Sequence, residues 1–104
     1  MRKADIAMQG VPAGILEEME PGRAYRFSYH ARYNGPPISL TLPVKQKVFE
    51  FDRFPPFFDG LLPEGMMLEG LLKKRKLDRH DGFGQLLAVG GDLVGAITAT
   101  EINE

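Results

Sequence analysis

Phe57-Phe58-Asp59-Gly60-Leu61-Leu62-Pro63-Glu64-Gly65 is an aromatic-rich turn running into a proline-initiated helix, and it divides the chain by hydrophobic period. Upstream of it, apolar residues alternate. Tyr25, Phe27 and Tyr29 are separated by Arg26 and Ser28, the period-two pattern of a half-buried strand, and Ile38, Leu40 and Leu42 repeat it. Lys3 to Met8 and Ala13 to Glu18 flank Gln9-Gly10 and read as a hairpin; Pro21-Gly22 marks the next turn. Tyr33-Asn34-Gly35-Pro36-Pro37 reads as a loop, because its prolines donate no ladder hydrogen bonds. Residues 1–51 are therefore expected to form a small, mostly antiparallel sheet, curled or partly closed like a barrel to bury its apolar face.

Downstream the period becomes helical. Pro55-Pro56 suits the opening of a short helical turn and Pro63 the opening of another, since a missing N–H costs nothing in a first turn. Between Glu64 and Lys76, Met67, Leu68, Leu71 and Leu72 fall on one face, predicting a helix that buries it. Met66 lies almost opposite, beside Glu69, Gly70 and Lys73, and is expected to face solvent. Asp78 or Asp81 is placed to cap the next helix, with Phe83, Leu86 and Leu87 as its buried stripe and Gly90-Gly91 ending it through a left-handed conformation. Leu93 to Thr100 reads as a last strand. The expected fold is α+β, with a curled sheet first, two or three short helices in the C-terminal half, and one strand returning to the sheet.

A chain of 104 residues has room for one core, and 43% hydrophobic with 26% charged residues is the composition of a folded globular domain. A formal net charge of -1 speaks against direct nucleic-acid binding, which calls for a basic excess. Lys73-Lys74-Arg75-Lys76 is a dense basic run, but it falls in a helix's last turn, where cations meet the negative end, and no aromatics interleave it. The absence of cysteine excludes disulfides and thiolate metal sites. Asp5 and Gln9 interrupt the apolar run that a signal peptide after Met1-Arg2-Lys3 requires, and nothing is long enough to span a bilayer. A cytoplasmic location is the simplest expectation.

Catalytic patterns are missing. Gly82-Phe83-Gly84 lacks the rest of a dinucleotide fingerprint, and His30 and His80 have no ligand-spaced partner. Asp78, His80 and Asp81 sit together without a nucleophile, and capping accounts for both aspartates. The aromatic cluster Phe49, Phe51, Phe54, Phe57 and Phe58 is better read as core than as a ligand pocket, with Phe57 and Phe58 diverging on any helical turn.

The segment from Phe57 to Gly65 resembles the "F-x-x-L-L-P-E-G" signature of the first N-terminal subdomain of HipA-type serine/threonine kinases. Ile38 to Pro43 looks like the strand that ends in its "S-L-P" step, and Asp81 through Gly95 like its closing element; together the resemblance covers most of residues 36–97. In HipA the subdomain leads into a kinase, whereas this sequence ends at Glu104, and that combination resembles the free-standing HipS proteins of three-gene HipBST systems; a complete small gene product is the expectation. The resemblance implies a non-enzymatic antitoxin without cofactor, metal or small-molecule substrate. Its partners would be a HipT-like serine/threonine kinase toxin, which it binds and inhibits, and a HipB-like DNA-binding protein in a ternary complex. The interface implied is Phe57, Phe58, Leu61, Pro63, Glu64, Gly65, Met66, Met67, Lys73 and Arg75, with Met66 where HipS-like proteins carry a bulky side chain directed at the kinase. Methionine there is adaptable but lacks the flat area of an aromatic anchor. The alternative is an assembly subunit that completes the kinase fold or bridges it to the DNA-binding partner without inhibiting.

Overall fold

The structure, a computed structural model, describes residues 1–91, 93 and 96–102. Five strands form an open antiparallel sheet in the order β4-β3-β2-β1-β5. The strands are β1 (Arg2–Met8), β2 (Val11–Glu20), β3 (Ala24–Tyr29), β4 (Val48–Phe51) and β5 (Ile97–Glu101). Between β4 and β5 run α1 (Pro56–Asp59), α2 (Gly65–Arg75) and α3 (Gly82–Val89). The α+β reading holds. The sheet twists and bulges but stays open, with β4 and β5 at its edges, because helices rather than a second curl of sheet cover its apolar face.

The β1–β2 hairpin turns on Gln9 and Gly10, both at positive φ (50° and 81°), so that Met8 pairs with Val11. Two left-handed residues match the twist of the flanking strands. Alternation then decides which side chains enter the core: Ala4 and Ile6 from β1, Leu16 from β2, Tyr25, Phe27 and Tyr29 from β3, and Ile97 and Ala99 from β5 are buried. Phe58 of α1 and Phe83 and Leu86 of α3 close the core from the helical side. Phe27 lies 5.9 Å from Phe58 and Tyr25 stacks 6.4 Å from Phe83.

Several expectations change. Ile38 to Leu42 is not a strand: Ser39 Oγ lies 2.9 Å from Thr41 Oγ1 and accepts from Thr41 N, and Leu42 N donates to Ser39 O at 3.0 Å. Hydroxyls that capture nearby backbone groups in this way compete with ladder pairing. Ile38 and Leu42 still point inward, but Leu40 is 96% exposed. The strand pairing with β3 is instead Val48–Phe51, in register Tyr25 with Phe51 and Phe27 with Phe49. The Met67, Leu68, Leu71, Leu72 face is not buried, for α2 has no buried residue at all. Gly90 ends α3 with φ −53°, in the right-handed region. Its requirement for glycine is space: an added Cβ would lie 1.8 Å from the carbonyl oxygen of Ala99, whose N–H donates to Gly90 O at 2.9 Å. The last strand begins at Ile97 rather than Leu93; Asp92, Val94 and Gly95 lie outside the described residues.

Candidate partner-binding surface

The surface is built by the turn between α1 and α2. Pro55, buried, holds the extended N-cap position and Pro56 starts α1, whose first bond runs from Asp59 N to Pro55 O at 3.0 Å. One turn of helix then separates two neighbouring rings. Phe58 enters the core with no exposure, while Phe57 stays half-buried and packs edge-on against it at 5.2 Å. Leu61 N and Leu62 N donate to Phe58 O and Asp59 O, both at 3.1 Å, which keeps Leu61, Leu62 and Pro63 half-buried at the surface. The Phe58 side chain is therefore buried in this domain, where it anchors the turn to the core.

Glu64 is the extended N-cap of α2 and its side chain makes no capping bond. Gly65 follows at φ +59°, a conformation that glycine alone adopts at little cost. The chain thereby turns Met66 and Met67 outward, 92% and 77% exposed. The exposure expected of Met66 is present; that of Met67 corrects the sequence reading, which placed it on the buried face. Leu68, Leu71 and Leu72 are half-buried. Lys73, Lys74 and Arg75 stand exposed in the last turn, with Lys76 as a left-handed cap. At about 100° per residue, seven steps return Lys73 to the side of Met66, whereas nine steps place Arg75 opposite. Met66 and Lys73 thus share one side of α2, while Arg75 lies opposite Met66 but only about 80° from Met67.

A cleft of about 890 Å³ lies elsewhere, lined by Arg2, Glu18, Tyr25, Asp78, His80 and Asp81 among others. Its charged groups satisfy one another. The Arg2 guanidinium donates to both oxygens of Glu18 at 2.8 Å and to Asp81 at 2.8 and 3.2 Å, and it covers the Phe83 ring at 5.2 Å. Glu18 is only 5% exposed, and Tyr25 donates to it at 3.3 Å while accepting from Gly22 N. These bonds raise the pKa of Arg2 and hold the Asp81 carboxyl below the usual carboxylate range. Asp81 also accepts from Gly84 N, the capping role assigned to it, and Asp78 accepts from His80 N. Among the described residues no group of acidic, histidine or cysteine side chains is arranged to hold a metal. No helix among them is long and apolar enough to cross a membrane. Sequence reading missed the Arg2 clamp, because its partners lie 16 and 79 residues away and no local pattern marks them.

Fold and surface together define a small α+β domain that presents the apolar start of a weakly anchored helix. The chain matches the HipA N-terminal domain family over residues 4–100 and belongs to it. An uncharacterized protein of Haemophilus influenzae is 33% identical over 101 residues, covering 97% of this chain and 93% of that protein. The Sinorhizobium fredii protein titled "Putative kinase Y4dM" is 31% identical over 103 residues, which span 90% of this chain but 25% of that protein. A solved structure, the N-terminal domain of HipA toxin, superposes with a TM-score of 0.79 at 30% identity, over 100% of this chain and 95% of that one.

Proposed function

We propose that this protein is the antitoxin of a tripartite toxin–antitoxin system, a non-enzymatic module that docks on a HipT- or HipA-like serine/threonine kinase toxin and inhibits it. The observation that carries the reading is the exposure of Met66 and Met67 at the start of a helix that buries none of its residues. A helix start with two exposed methionines is surface left for a partner. Two relatives point to the partner's kind: a HipA toxin whose N-terminal domain has this fold, and a protein titled as a kinase of which this chain matches one quarter.

In this reading Phe57, Leu61, Pro63, Glu64, Gly65, Met66 and Met67 pack against the kinase, and Lys73 supplies charge at the rim. Methionine suits the center, because its unbranched chain adapts to an irregular cleft. A HipB-like DNA-binding protein completes the complex. The test is the autophosphorylation of a HipA-type kinase from the same organism, with and without a molar excess of this protein. Suppression is expected. Stable binding with undiminished phosphorylation would replace inhibition by the assembly role, and failure to bind would remove both.

A further inference from the structure

The chain holds five methionines and no cysteine, so its sulfur chemistry is that of thioethers alone. The five differ in access. Met8 is half-buried and packs against the core, and Met19 is half-buried on β2. Met66 and Met67 are 92% and 77% exposed, adjacent in sequence, and carried by a helix that buries none of its residues. About 100° apart around the helix, the two side chains open in different directions. Met1 is exposed as well, but it lines the charged cleft around Arg2, to which no described residue of α2 contributes.

An oxidant must reach a sulfur to react with it, and the two sulfurs of α2 are open where the proposed docking surface lies. We propose that Met66 and Met67 form an oxidation site for hydroperoxides, and that their conversion to sulfoxide releases the kinase; the inference rests on the reading that a kinase docks here. In this step a sulfur lone pair attacks the terminal oxygen of the hydroperoxide, and the S–O bond forms as the O–O bond breaks. The departing oxygen takes up the hydroperoxide proton and leaves as an alcohol, or as water from hydrogen peroxide. Sulfur loses two electrons and the peroxide gains them. Sulfoxide reductases run the return, giving back the thioether and water while a thiol pair becomes a disulfide. The product side chain is polar and chiral where docking needs an adaptable apolar one, and its oxygen opposes burial without a donor. The fold is untouched, because neither thioether belongs to the core.

The full chain is treated with hydrogen peroxide and its sulfoxides are mapped by peptide mass spectrometry. Treated and untreated samples are then titrated into the autophosphorylation of a HipA-type kinase from the same organism. Met66 and Met67 are expected to oxidise before Met8 and Met19. The oxidised protein is expected to need at least about tenfold more for equal suppression, with Tm unchanged and with potency restored by the two epimer-specific sulfoxide reductases. In Met66→Leu/Met67→Leu, compared with its own untreated sample, peroxide is expected to change nothing although Met1 still oxidises. If that variant does not suppress, the wild type decides alone: potency must fall as Met66 and Met67 oxidise and return as they are repaired. Met8 or Met19 oxidising as fast, treated protein within about twofold of untreated, or a loss that persists in the double variant overturns the inference and leaves the docking reading intact. No suppression by untreated wild type overturns the docking reading, and the inference falls with it.

Discussion

Arg2 shows how much a single side chain carries in a domain of this size. Its guanidinium joins β1 to the buried carboxylate of β2 and to the cap of α3. Arg2→Ala would leave the nearly buried Glu18 carboxylate with only the long Tyr25 bond, a loss of about 1–3 kcal/mol. In a domain of this length that lowers Tm by roughly 4–20 °C, a result thermal unfolding followed by circular dichroism would show directly. Asp81 adds a pH dependence of known sign. Its carboxyl is held below the usual range chiefly by Arg2, so its contribution is present above about pH 4, the unfolded value, and is lost as pH falls through the folded one. Urea unfolding should find Asp81→Asn less stable than wild type at pH 7, with the gap closing as pH falls below the ordinary carboxyl range. Gly90→Ala should destabilise although its backbone is helical, because the new methyl meets the Ala99 carbonyl; a neutral outcome would mean that β5 shifts freely.

At the scale of elements, α2 is the least supported helix. It has 11 residues, no side-chain cap, a glycine in its middle and no buried residue. Isolated helices of fewer than about 12–15 residues are marginal in water. Hydrogen exchange should therefore find its amides opening at least about a hundredfold more readily than those of β1, β2 and β3. Gly70 has nothing within 4 Å of an added Cβ, so Gly70→Ala should slow exchange in α2 by about fivefold, the equivalent of about 1 kcal/mol of helix propensity. What the sequence made legible follows from locality. The hairpin on Gln9-Gly10, the alternation of β3, the proline opening of α1 and the Asp81 cap are all decided within a few residues, whereas Pro63 stands before α2, whose N-cap is Glu64. The misread elements are those decided by distant contacts. Ile38 to Leu42 alternates like a strand, yet the distant Tyr29 phenol ties Ile38 N and Leu42 O into a turn; α2 shows a leucine face, yet its leucines are only half-buried. Phe58 reads as a surface candidate beside Phe57, and only its packing on Phe27 sends it inward.

At the scale of the whole molecule, the two most exposed large apolar side chains, Leu40 and Met66, lie away from the charged cleft around Arg2. In the cleft around Arg2 one guanidinium is shared between two carboxylates, those of Glu18 and Asp81. The exposed side chains of Leu40, Met66 and Met67 and the half-buried Phe57 sit on the loop and helical segments that follow β3. That division is what a docking module requires: one surface for recognition, and a core made rigid enough by β1, β2, β3 and α3 to present it. The measurement that tests this account most directly is a titration of kinase autophosphorylation with wild type, Met66→Asp and Met66→Leu. The account predicts that wild type suppresses phosphorylation, that Met66→Leu retains most of the effect, and that Met66→Asp needs at least about tenfold more protein with Tm unchanged. Equal suppression by wild type and Met66→Asp would contradict a docking surface centered on the start of α2, and phosphorylation unaffected by any of the three would contradict inhibition itself.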